Sequence, residues 1–260
     1  MPPAAHCSDA ARRRGDRPRP TARRSNGRPL GHRIPRLGQD RLGRATRQGR
    51  LLMPPLIIRP TVVPFVTAWS GEHLGPESDL TVQLTPGPRL GYQAPRPTDR
   101  DTAGALWARM THSPGTGRPI YDSMHVARQR ICMYSMKCQI CGNPASRNKD
   151  GWLFINWRRP WDPPTWPEGS LTEQPPLCEP HARMSVEQCP HLARGDYAVL
   201  RVQTPRLWGI SGTNYQLTTG GWHARESNVM VPYGHVGLNA VLASRMIREL
   251  RNVTVIDLAK

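Results

Sequence analysis

Two cysteine clusters far apart in the chain restrict its fold more than any other feature. The first reads Cys138-Gln139-Ile140-Cys141-Gly142. The second reads Cys178-Glu179-Pro180-His181 and is followed by Cys189-Pro190-His191, with 36 residues between Cys141 and Cys178. Two cysteines separated by two residues form a tight knuckle whose thiolates can meet one tetrahedral ion, and two such pairs complete a four-coordinate zinc site. Gly142 directly after the knuckle supplies the positive φ that such a turn tends to need. A chain built this way must bring two remote segments within a few ångströms of each other.

The second pair is expected at the start of a helix. Pro180 suits a first helical turn by its fixed φ, and Glu179 by its charge at the positive end of the helix dipole. Cys178 and His181 are then i and i+3, neighbours on one face. Cys189 and His191 are rivals for the fourth position. About eleven residues of helix at roughly 1.5 Å each would carry Cys189 roughly 16 Å from Cys178, too far to share an ion unless the helix ends early. The expected ligands are therefore Cys138, Cys141, Cys178 and His181, with zinc in a structural role. The alternative is that the thiols simply pack in a core or form a redox pair, but the βαβ setting of a thioredoxin-like motif is missing around Cys138.

Between the pairs, Asn148-Lys149-Asp150-Gly151 is a hairpin turn signal, with Trp152–Trp157 as the outgoing strand. Knuckle, hairpin and helix in this order resemble treble-clef zinc modules. The stretch is also similar to uncharacterised proteins of high-GC bacteria that share the Cys-x-x-Cys-Gly, a Trp-Leu-Phe strand, a Pro-Pro-x-Cys-x-x-His and a Cys-Pro-His-Leu. The resemblance spans about residues 135–260. Some treble-clef modules are HNH-type metal-dependent nucleases, which the resemblance implies would carry a catalytic His on the hairpin. No His lies between Cys141 and Cys178, and the acids there are Asp150, Asp162, Glu168 and Glu173. A non-enzymatic binding or scaffold protein is therefore expected, with no catalytic residues assigned, and a nucleic-acid-binding regulator or an HNH-like nuclease is the alternative. Walker A, His-Glu-x-x-His and Gly-x-Ser-x-Gly patterns do not occur. Ser146-x-x-Lys149 and Arg194-Gly195-Asp196 read as chance matches.

The insertion Trp157-Arg158-Arg159-Pro160-Trp161, continuing to Trp166, is the one segment that suggests a partner. Its Trp and Arg side chains can stack on bases or grip a protein, or fold back over the zinc core. The partner is thus unknown, with protein and nucleic acid both open.

The formal charge of +17 would suggest a nucleic-acid partner, but it is concentrated. Residues 1–52 hold 14 Arg against Asp9, Asp16 and Asp40, a net of +11, leaving +6 for the rest of the chain. Lys occurs only at Lys137, Lys149 and Lys260, an Arg bias that GC-rich codon usage produces without selection for a ligand. Segment 1–52 lacks the apolar residues to offset ordering, so a disordered Arg-rich tail is expected. The change of composition at Met53 points to translation starting there in the native protein. No secretory segment or membrane span of about 20 apolar residues is evident, and a cytoplasmic protein is expected.

The remaining pattern predicts an α+β fold: a strand-rich segment with two short helices over 53–134, a zinc module over 135–193, and a small α+β unit over 194–260. Strands are expected at Leu56–Ile58, Thr61–Val63, Phe65–Trp69, Leu80–Leu84, Tyr197–Val202, Leu207–Leu217, Val229–Val231 and Val253–Leu258. Helices are expected at Asp99–Met110, Ile120–Tyr134 and Leu238–Arg251. In the last, Ala243, Met246, Ile247 and Leu250 recur at helical spacing, and Asn252 is placed to cap it.

Overall fold

The architecture is that of a computed structural model, which describes residues 62–84, 87–192 and 197–258. The expected tail at 1–52 and the strands expected at Leu56–Ile58 and at the start of Thr61–Val63 lie outside these residues. Among the described residues the chain forms eleven strands and only two α-helices. The expectation of a small treble-clef-like α+β module with antiparallel strands and a C-terminal helix is corrected by this. The fold is mainly β, organised on one seven-stranded sheet.

The sheet is dominated by three long strands, β9 (Tyr197–Thr218), β10 (Gly221–Pro232) and β11 (Val241–Ile256). One edge of β9 pairs along its length with β11, antiparallel, from Val199↔Ile256 to Asn214↔Val241. The other edge is shared. Its first part pairs with β7 (Gly151–Trp157) and its second part with β10. The short strand β6 (Arg147–Asn148) flanks β7, while β4 (Leu106–Trp107) and β8 (Leu171–Thr172) flank β11. Two small antiparallel ribbons stand apart from the sheet. They are β1 (Thr67–Trp69) with β5 (Pro119–Met124), and β2 (Leu80–Gln83) with β3 (Arg89–Tyr92).

The segment expected as the best helix is therefore a strand. Bulges explain the misleading period. A register shift between Ala243 and Arg245 inserts Ser244, so that Val241, Ala243 and Met246 share one buried cluster although the last two are three residues apart. An extra residue in a two-residue repeat imitates helical spacing. The β-branched residues Val241, Ile247, Val253 and Val255 then fit the pleated surface of β9's partner strand. Asn252, expected as a helix cap, does adopt positive φ (56°), but inside β11.

The helix expected at Asp99–Met110 is also corrected. Asp101 caps a turn there instead, accepting from the amides of Ala103 and Ala105, before β4 pairs in parallel with β11. The Ile120–Tyr134 helix divides at His125 into β5 and α1 (Val126–Tyr134). His125 caps α1 by accepting from the Arg128 amide through Nδ1 at 3.3 Å.

The outer edge of β11 carries a series of partners that satisfy its backbone. Ala108 donates to Ala243 O; the Gln129 side chain both donates to Met246 O (2.9 Å) and accepts from Met246 N (3.0 Å). Beyond it come β8, Ser170 on Leu250, and the Glu168 carboxylate on the amides of Asn252 and Val253. Long strands with bare edges invite pairing with other chains, and these contacts close one such edge. The side chains of β7 alternate as a strand should: Leu153, Ile155 and Trp157 face the cluster around Cys138, whereas Trp152 and Phe154 face the cluster of Leu200, Val202 and Leu250. No helix among the described residues is long and apolar enough to cross a membrane.

Candidate metal centre

The knuckle is held by its own backbone: Cys138 N donates to Asn143 O at 2.7 Å, and Gly142 N to Cys138 O at 2.8 Å. Gly142 has φ +73°, and a Cβ there would sit 3.2 Å from the Phe65 ring, so both conformation and space call for glycine. Phe65 belongs to a strap that runs over the knuckle. Phe65 N donates to Ile140 O and Val66 N to Gln139 O, at 2.8 and 3.1 Å. Behind the knuckle, fully buried Cys132 directs its thiol at the Cys138 carbonyl, 3.7 Å away. Burial, foremost, pushes that thiol up to about 12, as befits a packed, inert cysteine.

Three backbone bonds bring the second pair across the 36-residue gap. Gln139 N reaches Pro176 O, Ser146 N reaches Leu177 O, and Leu177 N reaches Leu153 O. Segment 176–177 is thereby stitched to the knuckle, to the residue before the hairpin and to β7. The hairpin itself depends on Gly151 (φ +112°), where a Cβ would lie 2.2 Å from the Val202 carbonyl oxygen of the neighbouring strand. Leu177, fully buried, anchors the join among Leu153, Ile155 and Ala182. Cys178 then serves as the N-cap of α2 (Glu179–Gln188), with Pro180 in the first turn.

The result is one group of four donors. Cys138, Cys141, Cys178 and His181 place their ligand atoms within 4.8 Å of one another, and they could hold a metal ion. The Cys141 and Cys178 sulfurs are 4.0 Å apart, and Cys138 Sγ is 3.8 Å from His181 Nδ1. Tetrahedral zinc with Zn–S near 2.3 Å requires sulfurs about 3.8 Å apart and sulfur–nitrogen separations of about 3.5 Å, so these distances suit such an ion. Cys178 Sγ and His181 Nδ1, at 2.9 Å, are in direct contact and need to open by roughly half an ångström to share it. Burial raises the Cys178 thiol to about 12; the neighbouring Cys138 and Cys141 add to the rise, while the His181 amide at the helix N-terminus opposes it. Thiols with one imidazole form a soft donor set, suited to a transition-metal ion over a hard cation.

The rivals stand elsewhere. Cys189 is the C-cap of α2, at the opposite end of that helix from Cys178, and His191 is exposed beyond it. Neither belongs to the four-residue group. Of the insertion residues, Trp157 packs half-buried on the metal-side cluster with the Arg159 guanidinium 5.1 Å over its ring. Arg159 also donates to Leu171 O at 2.6 Å and, through its amide, to Asp162 at 2.7 Å. Trp166 is half-buried, with its indole nitrogen enclosed and without a hydrogen-bond partner among the described residues. Arg158 is exposed, and Trp161, 64% exposed, is the one tryptophan of the insertion that faces outward.

A second polar cluster had no counterpart in the sequence reading. Buried Glu72 accepts both η nitrogens of Arg128 at 2.6 Å and the amides of Trp69 and Ser113. Burial raises its carboxyl, but the Arg128 guanidinium and the two amides outweigh it and bring it down to about 2. His125 lies alongside, its Nε2 donating to Thr111 O at 3.1 Å, with its pKa lowered by burial and by the Arg128 charge. No local pattern links positions 72 and 128, which meet only through the fold.

No protein-family model, curated protein or solved structure matches this chain.

Proposed function

We propose that this is a non-enzymatic zinc protein, in which Cys138, Cys141, Cys178 and His181 hold one structural ion and the surrounding sheet serves a binding or scaffold role. The observation that supports this reading is the convergence of three sulfurs and one imidazole nitrogen from two remote segments. Four protein donors fill a tetrahedral ion and leave no position for substrate or water, which is the arrangement of structural rather than catalytic zinc. The ion would hold the knuckle to the start of α2, and its binding energy would count as folding energy for the cluster around Leu153 and Leu177.

The contact point for a partner is the insertion loop. It is fastened by Arg159 at one end and by Glu168 on the β11 amides at the other, and it leaves both Arg158 and Trp161 exposed. An outward tryptophan on a loop that also exposes an arginine suits an interface anchor.

Metal analysis of purified protein tests the centre. One zinc per chain, with an X-ray absorption spectrum of three sulfurs and one nitrogen, is the expected result. Protein folded without stoichiometric metal overturns the proposal. A salt titration of DNA and RNA binding by the chain beginning at Met53 identifies the partner class, because phosphate contacts give a steep slope.

A further inference from the structure

The metal centre does not account for a cavity at the other end of the sheet. It lies between the turn Glu77–Asp79 with β2 and β3 on one side and the paired strands β9 and β11 on the other, with a volume of about 220 Å³. By the liquid volume of water it has room for on the order of seven molecules, or for one small organic molecule in their place. Its walls divide by chemistry. Leu74, Leu80 and Leu242 line it with hydrocarbon, while Glu77, Thr213, Tyr215 and Ser244 offer oxygens.

The charges around it are uneven. Arg109 borders the cavity but is already committed. Its guanidinium holds Asp99 through two hydrogen bonds of 2.9 and 2.8 Å and stacks 3.9 Å over the Tyr92 ring. Glu77 is different: Tyr215, 5% exposed, donates its hydroxyl to Glu77 Oε1 at 3.0 Å, and the other carboxylate oxygen has no hydrogen-bond partner among the described residues. Asp79 adds a further negative charge close enough to act on both Tyr92 and Arg109. Burial, foremost, raises both tyrosine hydroxyls; Glu77 adds to the rise at Tyr215, while at Tyr92 Arg109 opposes it and Asp99 and Asp79 add to it. The cavity is open to solvent on the side of Leu74 and Glu77, both exposed, and with Arg109 balanced by Asp99 the charge left at its mouth is the Glu77 carboxylate.

We propose that this cavity binds a small primary alkylammonium, with Glu77 as the counter-charge, the hydroxyls of Tyr215, Thr213 and Ser244 as further acceptors, and the leucines around its alkyl body. The pocket's sign turns away carboxylates and phosphates, and its apolar side favours an amine with several carbons over the ammonium ion itself. The same group can arrive as a free amine or as the side chain of a lysine on another protein.

Amide chemical shifts of the full-length zinc-loaded chain, titrated at constant ionic strength, test the proposal. Butylamine should give saturable shifts at Glu77, Thr213 and Ser244 with a Kd on the order of 1 mM, a value in keeping with so few ligand atoms. Butanol should bind at least about fivefold more weakly and butyrate not at all, because the charge provides the discrimination. Glu77→Gln should weaken butylamine by about fivefold with the remaining spectrum unchanged, while Tyr215→Phe, which keeps the carboxylate, should lose less. N-acetyl-lysine methylamide binding more tightly than butylamine would assign the pocket to a partner's lysine, and the reverse order to a free amine. Shifts that fail to saturate, equal shifts from butanol and butylamine, or binding untouched by Glu77→Gln would overturn it.

Discussion

Around α1 the chain supplies both signs of charge: Glu72 meets Arg128, and Arg248 places its guanidinium on the Met133 and Tyr134 carbonyls that end the helix. Around α2 it supplies donors of one kind, three sulfurs and an imidazole nitrogen that converge without a cationic side chain among them. Both clusters join segments distant in sequence, and both bury polar atoms. The first is complete within the chain, whereas the second has the donor chemistry of a site completed by an ion. A chelator should therefore weaken the second and leave the first intact, whereas acid acts on both, on the Glu72 carboxylate at one and on the thiolate donors at the other.

The largest effect is expected at the thiol cluster. Cys141→Ser, or prolonged treatment with a zinc chelator, should remove the ion and lower the melting temperature by about 10 °C or more, since structural zinc binding is worth several kcal/mol of folding energy. Calorimetry with parallel metal analysis checks it. An unchanged melting curve in metal-free protein would erase the contrast between the two regions.

Next in size is the buried ion pair. Glu72→Gln should cost about 3–5 kcal/mol, because it leaves the Arg128 charge buried without its partner. The sign of the pH dependence follows from the lowered carboxyl. Glu72 stabilises the native state above its ordinary value of 4.5, and that contribution is lost as pH falls toward about 2. Wild-type stability measured by urea denaturation should fall between pH 4.5 and 2 more steeply than that of the variant. Metal content at neutral pH should stay the same in both.

Gln129→Leu should cost about 1–3 kcal/mol, because the Met246 amide and carbonyl lose the side chain that pairs them at the β11 edge. Hydrogen exchange at Met246 should rise specifically. The smallest effects belong to the rival ligands. Cys189→Ser and His191→Ala should leave zinc stoichiometry intact and change stability by less than about 1 kcal/mol, in contrast to Cys178→Ser. Loss of metal in Cys189→Ser would move that residue into the centre.

Local chemistry made part of the molecule readable in advance. Asp150-Gly151 marks the β6–β7 turn, and Cys178-Glu-Pro-His marks the start of α2, because turn formation and helix initiation are decided within a few residues. The alternation of Leu80–Leu84 likewise gives β2, which ends one residue earlier at Gln83. The segment 238–251 was misread for a definable reason. A bulged strand and an amphipathic helix both space their buried residues by three or four, and only the partner strand β9 separates them. The cavity at Glu77 and Tyr215, 138 residues apart, had no sequence signal at all.

The sequence alone determined the donor chemistry and the local geometry of each half of the centre: a glycine-terminated knuckle, and a pair one helical turn apart. The tertiary structure decided how the halves meet, through Pro176 and Leu177 bonding to the knuckle and to β7. It also decided that the chain's last long segment is a strand, since its hydrogen bonds and buried face are provided by β9 and α1. Bonds within a turn or helix are written in neighbouring residues, but those of a sheet are written in residues that only folding brings together.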